Sequence, residues 1–77
     1  MSTQKIDFEV RGEFITLDRL LKATGLADSG GRARMMITEG LVQVDGQAES
    51  RKTAKIRPGQ RVGLEGVQIT LLADPSL

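Results

Sequence analysis

Five cationic side chains, Arg51, Lys52, Lys55, Arg57 and Arg61, fall within an eleven-residue run, RKTAKIRPGQR, that holds no carboxylate. Guanidinium groups can grip phosphate bidentately and ammonium groups act as movable point charges, so the chemistry on offer is anion binding. Residues 19–61 carry nine Lys/Arg against four Asp/Glu, a local excess of five positive charges. Residues 1–18 carry two against four and residues 62–77 none against two, so each flank is −2 while the whole chain is only +1. Phosphate backbones are bound through local Lys/Arg density, so a near-neutral total leaves a nucleic-acid partner open. The same run is also what a solvated face looks like.

Catalytic chemistry finds little material. With no histidine and no cysteine, the commonest metal ligand, the thiolate sites and disulfides are all excluded. A catalyst would have to use carboxylates, Lys or Ser in a cleft. Asp18, Asp28, Glu39, Asp45 and Glu49 form no recognisable pair or metal spacing, and the nine glycines make no Walker or dinucleotide fingerprint. The expectation is a non-enzyme with no catalytic residues, no metal and no cofactor.

The elements that must carry the cations follow from periodicity. Residues 5–10 alternate Ile6, Phe8 and Val10 with Asp7 and Glu9, a half-buried strand. Thr16 can cap a first helix with Asp18 in its first turn. Leu17, Leu20, Leu21 and Thr24 then share one face, Arg19 and Lys22 lie opposite, and Gly25 is the stop. Asp28 or Ser29 can start a second helix through Glu39, with Ala33, Met36 and Ile37 inward and Gly40 ending it. From Leu41 the period becomes two. Asp45-Gly46 fits a two-residue hairpin turn, Pro58-Gly59 a type II turn, and Glu65-Gly66 a further tight turn. Residues 61–64 and 67–71 read as strands, and 74–77 as a frayed end. The fold class expected is α+β: an N-terminal strand, two short packed helices, then a small antiparallel sheet. Seventy-seven residues make one domain with an aliphatic core, to which Phe8 and Phe14 and both Met35 and Met36 are assigned.

In order and spacing, Leu17-Asp18, Leu20-Leu21, Gly25-Leu26-Ala27, Ser29, Ala33, Ile37, then Gly40, Val42, Val44, Asp45, Gly46 and Gly59-Gln60-Arg61-Val62 resemble the RNA-binding domain named after ribosomal protein S-four, the αL motif. The resemblance covers about residues 15–62, within a single domain 1–77, and points to the stand-alone bacterial members, the YbcJ-like proteins. It implies RNA held against the two-helix face and the adjoining loop, with Arg19, Lys22, Ser29, Arg32, Arg34, Arg51, Lys52 and Lys55 as the RNA-binding residues. Where family members often place Arg after the Ser that opens the second helix, this chain has Gly30 and Gly31, and it has Thr16 where they often carry Arg near the first helix. Arg32 and Arg34 lie close enough to substitute, and Gly30 and Gly31 would let a phosphate near the helix start. Ser29 is most simply a helix cap.

The expected partner is structured RNA, ribosomal, transfer or similar, read by shape and backbone. Single-strand binders stack bases on aromatics, and this chain has no Tyr or Trp and two Phe assigned to the core. No small-molecule substrate and no membrane partner are expected. The N-terminus has no long apolar run, so a cytoplasmic protein is anticipated, and a monomer is expected. The alternative is a protein-interaction module, docking an acidic partner on the basic face or adding a strand at an exposed sheet edge formed by residues 67–72.

Overall fold

The computed structural model describes residues 3–64 and 66–74. The first strand, β1 (Gln4–Val10), is followed by a two-residue strand, β2 (Ile15–Thr16), and two helices, α1 (Leu17–Ala23) and α2 (Gly30–Thr38). Five strands complete the chain: β3 (Gln43–Val44), β4 (Gln47–Ala48), β5 (Lys55–Ile56), β6 (Arg61–Leu64) and β7 (Val67–Ala73). No helix among the described residues is long and apolar enough to cross a membrane.

The helices begin and end where their sequence dictates. Ser29 is extended and its hydroxyl accepts from the Arg32 N–H at 3.1 Å, capping α2. Gly25 and Gly40, at φ +79° and +78°, take the left-handed conformation that stops each helix. At the β3–β4 hairpin, Asp45 (φ 53°) and Gly46 (φ +84°) both have the positive φ of a type I′ turn. Gly59 has φ +95° and the Gln60 N–H reaches the Arg57 carbonyl at 3.1 Å, as a type II turn at Pro58-Gly59 requires. The Glu65 half of the next turn and residues 75–77 of the anticipated frayed end lie outside the described residues.

The larger sheet runs in the order β1-β7-β6-β3-β4, and β2 pairs separately with β5. This corrects the expected all-antiparallel sheet. β1 lies parallel to β7, with Ile6 beside Ile69 and Phe8 beside Leu71, while the β6–β7, β3–β6 and β3–β4 pairs are antiparallel. A parallel neighbour needs a crossover, and the helices and the strands up to β6 form it. The arrangement also removes the expected edge at residues 67–72. β7 is flanked by β1 on one side and β6 on the other, so its backbone groups are paired on both sides and the sheet's outer strands are β1 and β4. Leu17, Leu20, Leu21, Ala33 and Ile37 of the helices pack with Val10, Val42, Val62, Ile69 and Leu71 of the sheet into one buried aliphatic cluster.

Candidate nucleic-acid interface

The cationic loop is bonded to the start of α1. The first amides of a helix have no partner within it, and the Thr16 side chain does not cap this one. Loop carbonyls take over: the Leu17 N–H donates to Ala54 at 2.9 Å and the Asp18 N–H to Lys52 at 3.1 Å. Ala54 is buried, and a turn closed from its N–H to the Arg51 carbonyl at 3.2 Å holds the loop tight. Immediately beyond, Thr16 pairs with Lys55 and Ile15 with Ile56. The backbone bearing Arg51, Lys52 and Lys55 is thereby fixed against the helix, with all three side chains exposed.

Asp18 ties the second helix to the same place. Arg34 Nε lies 3.7 Å from its Oδ2, with the aspartate side chain 14% exposed and the arginine 57%. Burial pushes the Asp18 carboxyl up, but hydrogen bonds from the Thr16 side chain and the Arg19 amide, together with the charge and hydrogen bond of Arg34, outweigh it and hold the pKa below its ordinary value. The carboxylate is therefore ionised at neutral pH and neutralises part of Arg34. Lys22 lies one turn along from Asp18 on the same flank of α1.

The expected set is not a single cluster. At roughly 100° per residue, Arg32 and Arg34 project from opposite flanks of the buried Ala33 stripe. Arg34 is on the flank facing Asp18, whereas Arg32 contacts Met35 through Nη1 at 3.9 Å. Met35 is 48% exposed, contrary to its expected packing role, while Met36 does pack against the core. Ser29 is committed to its cap. A Cβ on Gly30 would meet nothing within 4 Å and one on Gly31 only the Ser29 hydroxyl at 4.0 Å, so no close approach demands glycine there.

Arg51 is already chelated. Its Nη2 and Nε reach the two carboxylate oxygens of Glu49 at 3.0 and 3.1 Å, and its N–H adds a third bond to that carboxylate. The Arg51 hydrogen bonds keep Glu49 below its usual pKa, so a phosphate at this position competes with a full negative charge. The remaining members of the eleven-residue run diverge. Arg57 and Arg61 flank the Pro58-Gly59 turn, which Asp45 ties to the hairpin by accepting from the Arg61 N–H at 3.0 Å and the Gln60 side chain at 3.1 Å.

One functional candidate escaped the sequence reading. Phe14, assigned there to the core, is 37% exposed, and the Lys55 ammonium sits 5.0 Å from its ring centroid. Phe8 does pack against the core. Beside Phe14 an open hollow of about 890 Å³ is lined by Phe8, Glu9, Arg11, Phe14, Ile15, Thr16, Arg19 and Asp74. Arg19 faces this hollow, so Arg19 and Lys55 lie beside Phe14, while Arg34 pairs with the Asp18 carboxylate, Lys22 follows Asp18 by one helical turn and Lys52 is joined to Asp18 through its backbone carbonyl. No group of three or more carboxylates that could hold a metal occurs among the described residues.

Comparison with known proteins agrees with this architecture. The model of the S4 domain matches residues 8–72. Over 59 residues the chain is 42% identical to the Escherichia coli (strain K12) protein named "Putative RNA-binding protein YbcJ", covering 77% of this chain and 84% of that one. The YbcJ protein of Shigella flexneri is equally similar, with the same coverage. The solution structure of Escherichia coli YbcJ, reported to reveal an αL motif involved in RNA binding, superposes with a TM-score of 0.63 at 34% identity, over 95% of this chain and 91% of that one. The matched span takes in both helices, the hairpin and the loop bonded to α1, so the elements that gather the cations are those of a shared fold, and the chain belongs to the S4 domain family.

Proposed function

We propose that this protein is a non-catalytic RNA-binding protein that holds structured RNA, as a monomer in the cytoplasm, against the face where α1, α2 and the loop after the β3–β4 hairpin meet. The observation that carries this reading is the double attachment of α1. Lys52 and Ala54 accept its first amides, and Asp18 pairs with Arg34 of α2. Three separated stretches of sequence thus hold exposed cations at one helix end. The RNA-binding description of the YbcJ relatives supports the ligand class.

Arg34, Lys52 and Lys22 around Asp18, with Arg19 and Lys55 around Phe14, are the residues we assign to phosphate contact. Arg51 contributes after exchanging Glu49 for phosphate. Arg32 and Ser29 sit at the margin, Arg32 reaching RNA that extends across α2. Each neutralised phosphate releases counterions, so log K falls with log salt by roughly 0.7 to 0.9 per contact. A titration of labelled transfer RNA by fluorescence anisotropy at low and moderate salt tests this directly. Binding that weakens steeply with salt supports the reading, and binding indifferent to salt contradicts it.

A further inference from the structure

We propose that the hollow beside Phe14 is a stacking site for a single unpaired base of the bound RNA. The proposal rests on the basic-face reading above and assigns a part of the ligand to a part of the surface.

Phe14 is partly exposed in a chain with no Tyr or Trp, and it stands between β1 and β2, next to the loop that bears the cations. Its neighbours divide by chemistry. Lys55 lies over the ring at 5.0 Å, and Arg11 and Arg19 border the same hollow. Glu9 and Asp74 also line it, contributing carboxylates that accept hydrogen bonds and repel phosphate. A phosphate in the interior would therefore meet a like charge, whereas a base offers a π face to Phe14 and N–H groups to Glu9. The phosphate on either side of that base falls to Arg19 and Lys55. The Lys55 ammonium leaves the ring for the phosphate as the base takes its place, exchanging one cation contact for another. The hollow, about 890 Å³ and open to solvent, exceeds the volume of a single base. A base held inside a duplex cannot reach the ring, so the preferred ligand is a helix with a bulged or looped-out nucleotide at the edge of the contact.

The test compares two RNA duplexes of about 16 base pairs, one fully paired and one with a single bulged adenosine, in anisotropy titrations at fixed salt. The wild type is expected to prefer the bulged duplex roughly tenfold, within the range that base–aromatic stacking delivers. Phe14→Leu, which keeps an apolar side chain, should abolish the preference while holding affinity for the paired duplex within about twofold, and Phe14→Tyr should retain it. A wild type that binds both duplexes equally, or a preference that survives Phe14→Leu, overturns the stacking site and leaves the basic face standing. A wild type that binds neither duplex overturns the basic face, and the stacking site with it.

Discussion

Asp18 and Arg34 meet across the two helices at 3.7 Å, and the same aspartate's backbone N–H is bonded to the Lys52 carbonyl. A carboxylate thus stands at the centre of the cationic surface, joining its parts while subtracting from its charge. The geometry separates the structural use of Asp18 from its electrostatic cost, because the Lys52 bond involves only backbone.

Asp18→Asn should therefore act in opposite directions on stability and binding. Losing the ion pair and a first-turn negative charge should destabilise by no more than about 1 kcal/mol, with RNA affinity rising because Arg34 is freed. The sign of the pH dependence follows from a depressed pKa. Its stabilisation is present above the ordinary carboxylate range and lost as pH falls through the lowered value, so the variant should show a flatter acid limb in thermal melts. Weaker RNA binding by a folded Asp18→Asn protein would contradict this.

Gly46 has φ +84° with open space where a Cβ would stand, so the expected cost of Gly46→Val is backbone strain alone, on the order of 1 to 3 kcal/mol by thermal melt. Gly31, inside α2 without positive φ, predicts the opposite. Gly31→Ala should stabilise by about 0.5 kcal/mol or more, through the reduced entropy of the unfolded chain. Equal melting temperatures for Gly46→Val and wild type would mean the hairpin turn is wrong.

Asp45 links the hairpin to the Pro58-Gly59 turn by accepting from Arg61 and Gln60, and these bonds lower its pKa. Asp45→Ala should lower Tm at neutral pH. The difference from wild type should shrink as pH falls through the depressed Asp45 value, since the protonated wild type loses the same interactions. RNA affinity should stay unchanged while the protein is folded, because Asp45 is bonded to Gln60 and Arg61, neither of which is assigned to RNA contact. A Tm difference constant down to strongly acid pH would contradict the hydrogen-bonded role.

The sequence made local geometry legible and left neighbours hidden. Alternation identified β1, and Asp45-Gly46 identified a turn whose two positive φ values follow from residue type. Nothing in residues 5–10 states which strand will lie beside them, so the parallel β1–β7 pair and the loss of the β7 edge were out of reach. The two-residue pairing of β2 with β5 is too short for any periodicity, yet it brings Lys55 to Phe14. The cationic residues were readable as types. Their division between Asp18 and Phe14, and the diversion of Arg57 and Arg61 to the hairpin side, depend on contacts between distant segments. In the sequence Arg51 is one more cation of the run, because its Glu49 clamp is a matter of side-chain geometry.

RNA held at the junction of α1, α2 and the loop should reveal itself in one salt series. Wild type, an Arg34→Glu/Lys52→Glu double variant and a Lys5→Glu control on β1 would be titrated with labelled transfer RNA across a range of salt, with Tm measured for each. The expected result is a double variant with nearly unchanged Tm, lower affinity and a salt slope flatter by roughly one unit per lost phosphate contact, while Lys5→Glu matches wild type. A Lys5→Glu protein weakened as much as the double variant would mean diffuse attraction without a site, and would contradict the interface described for this fold.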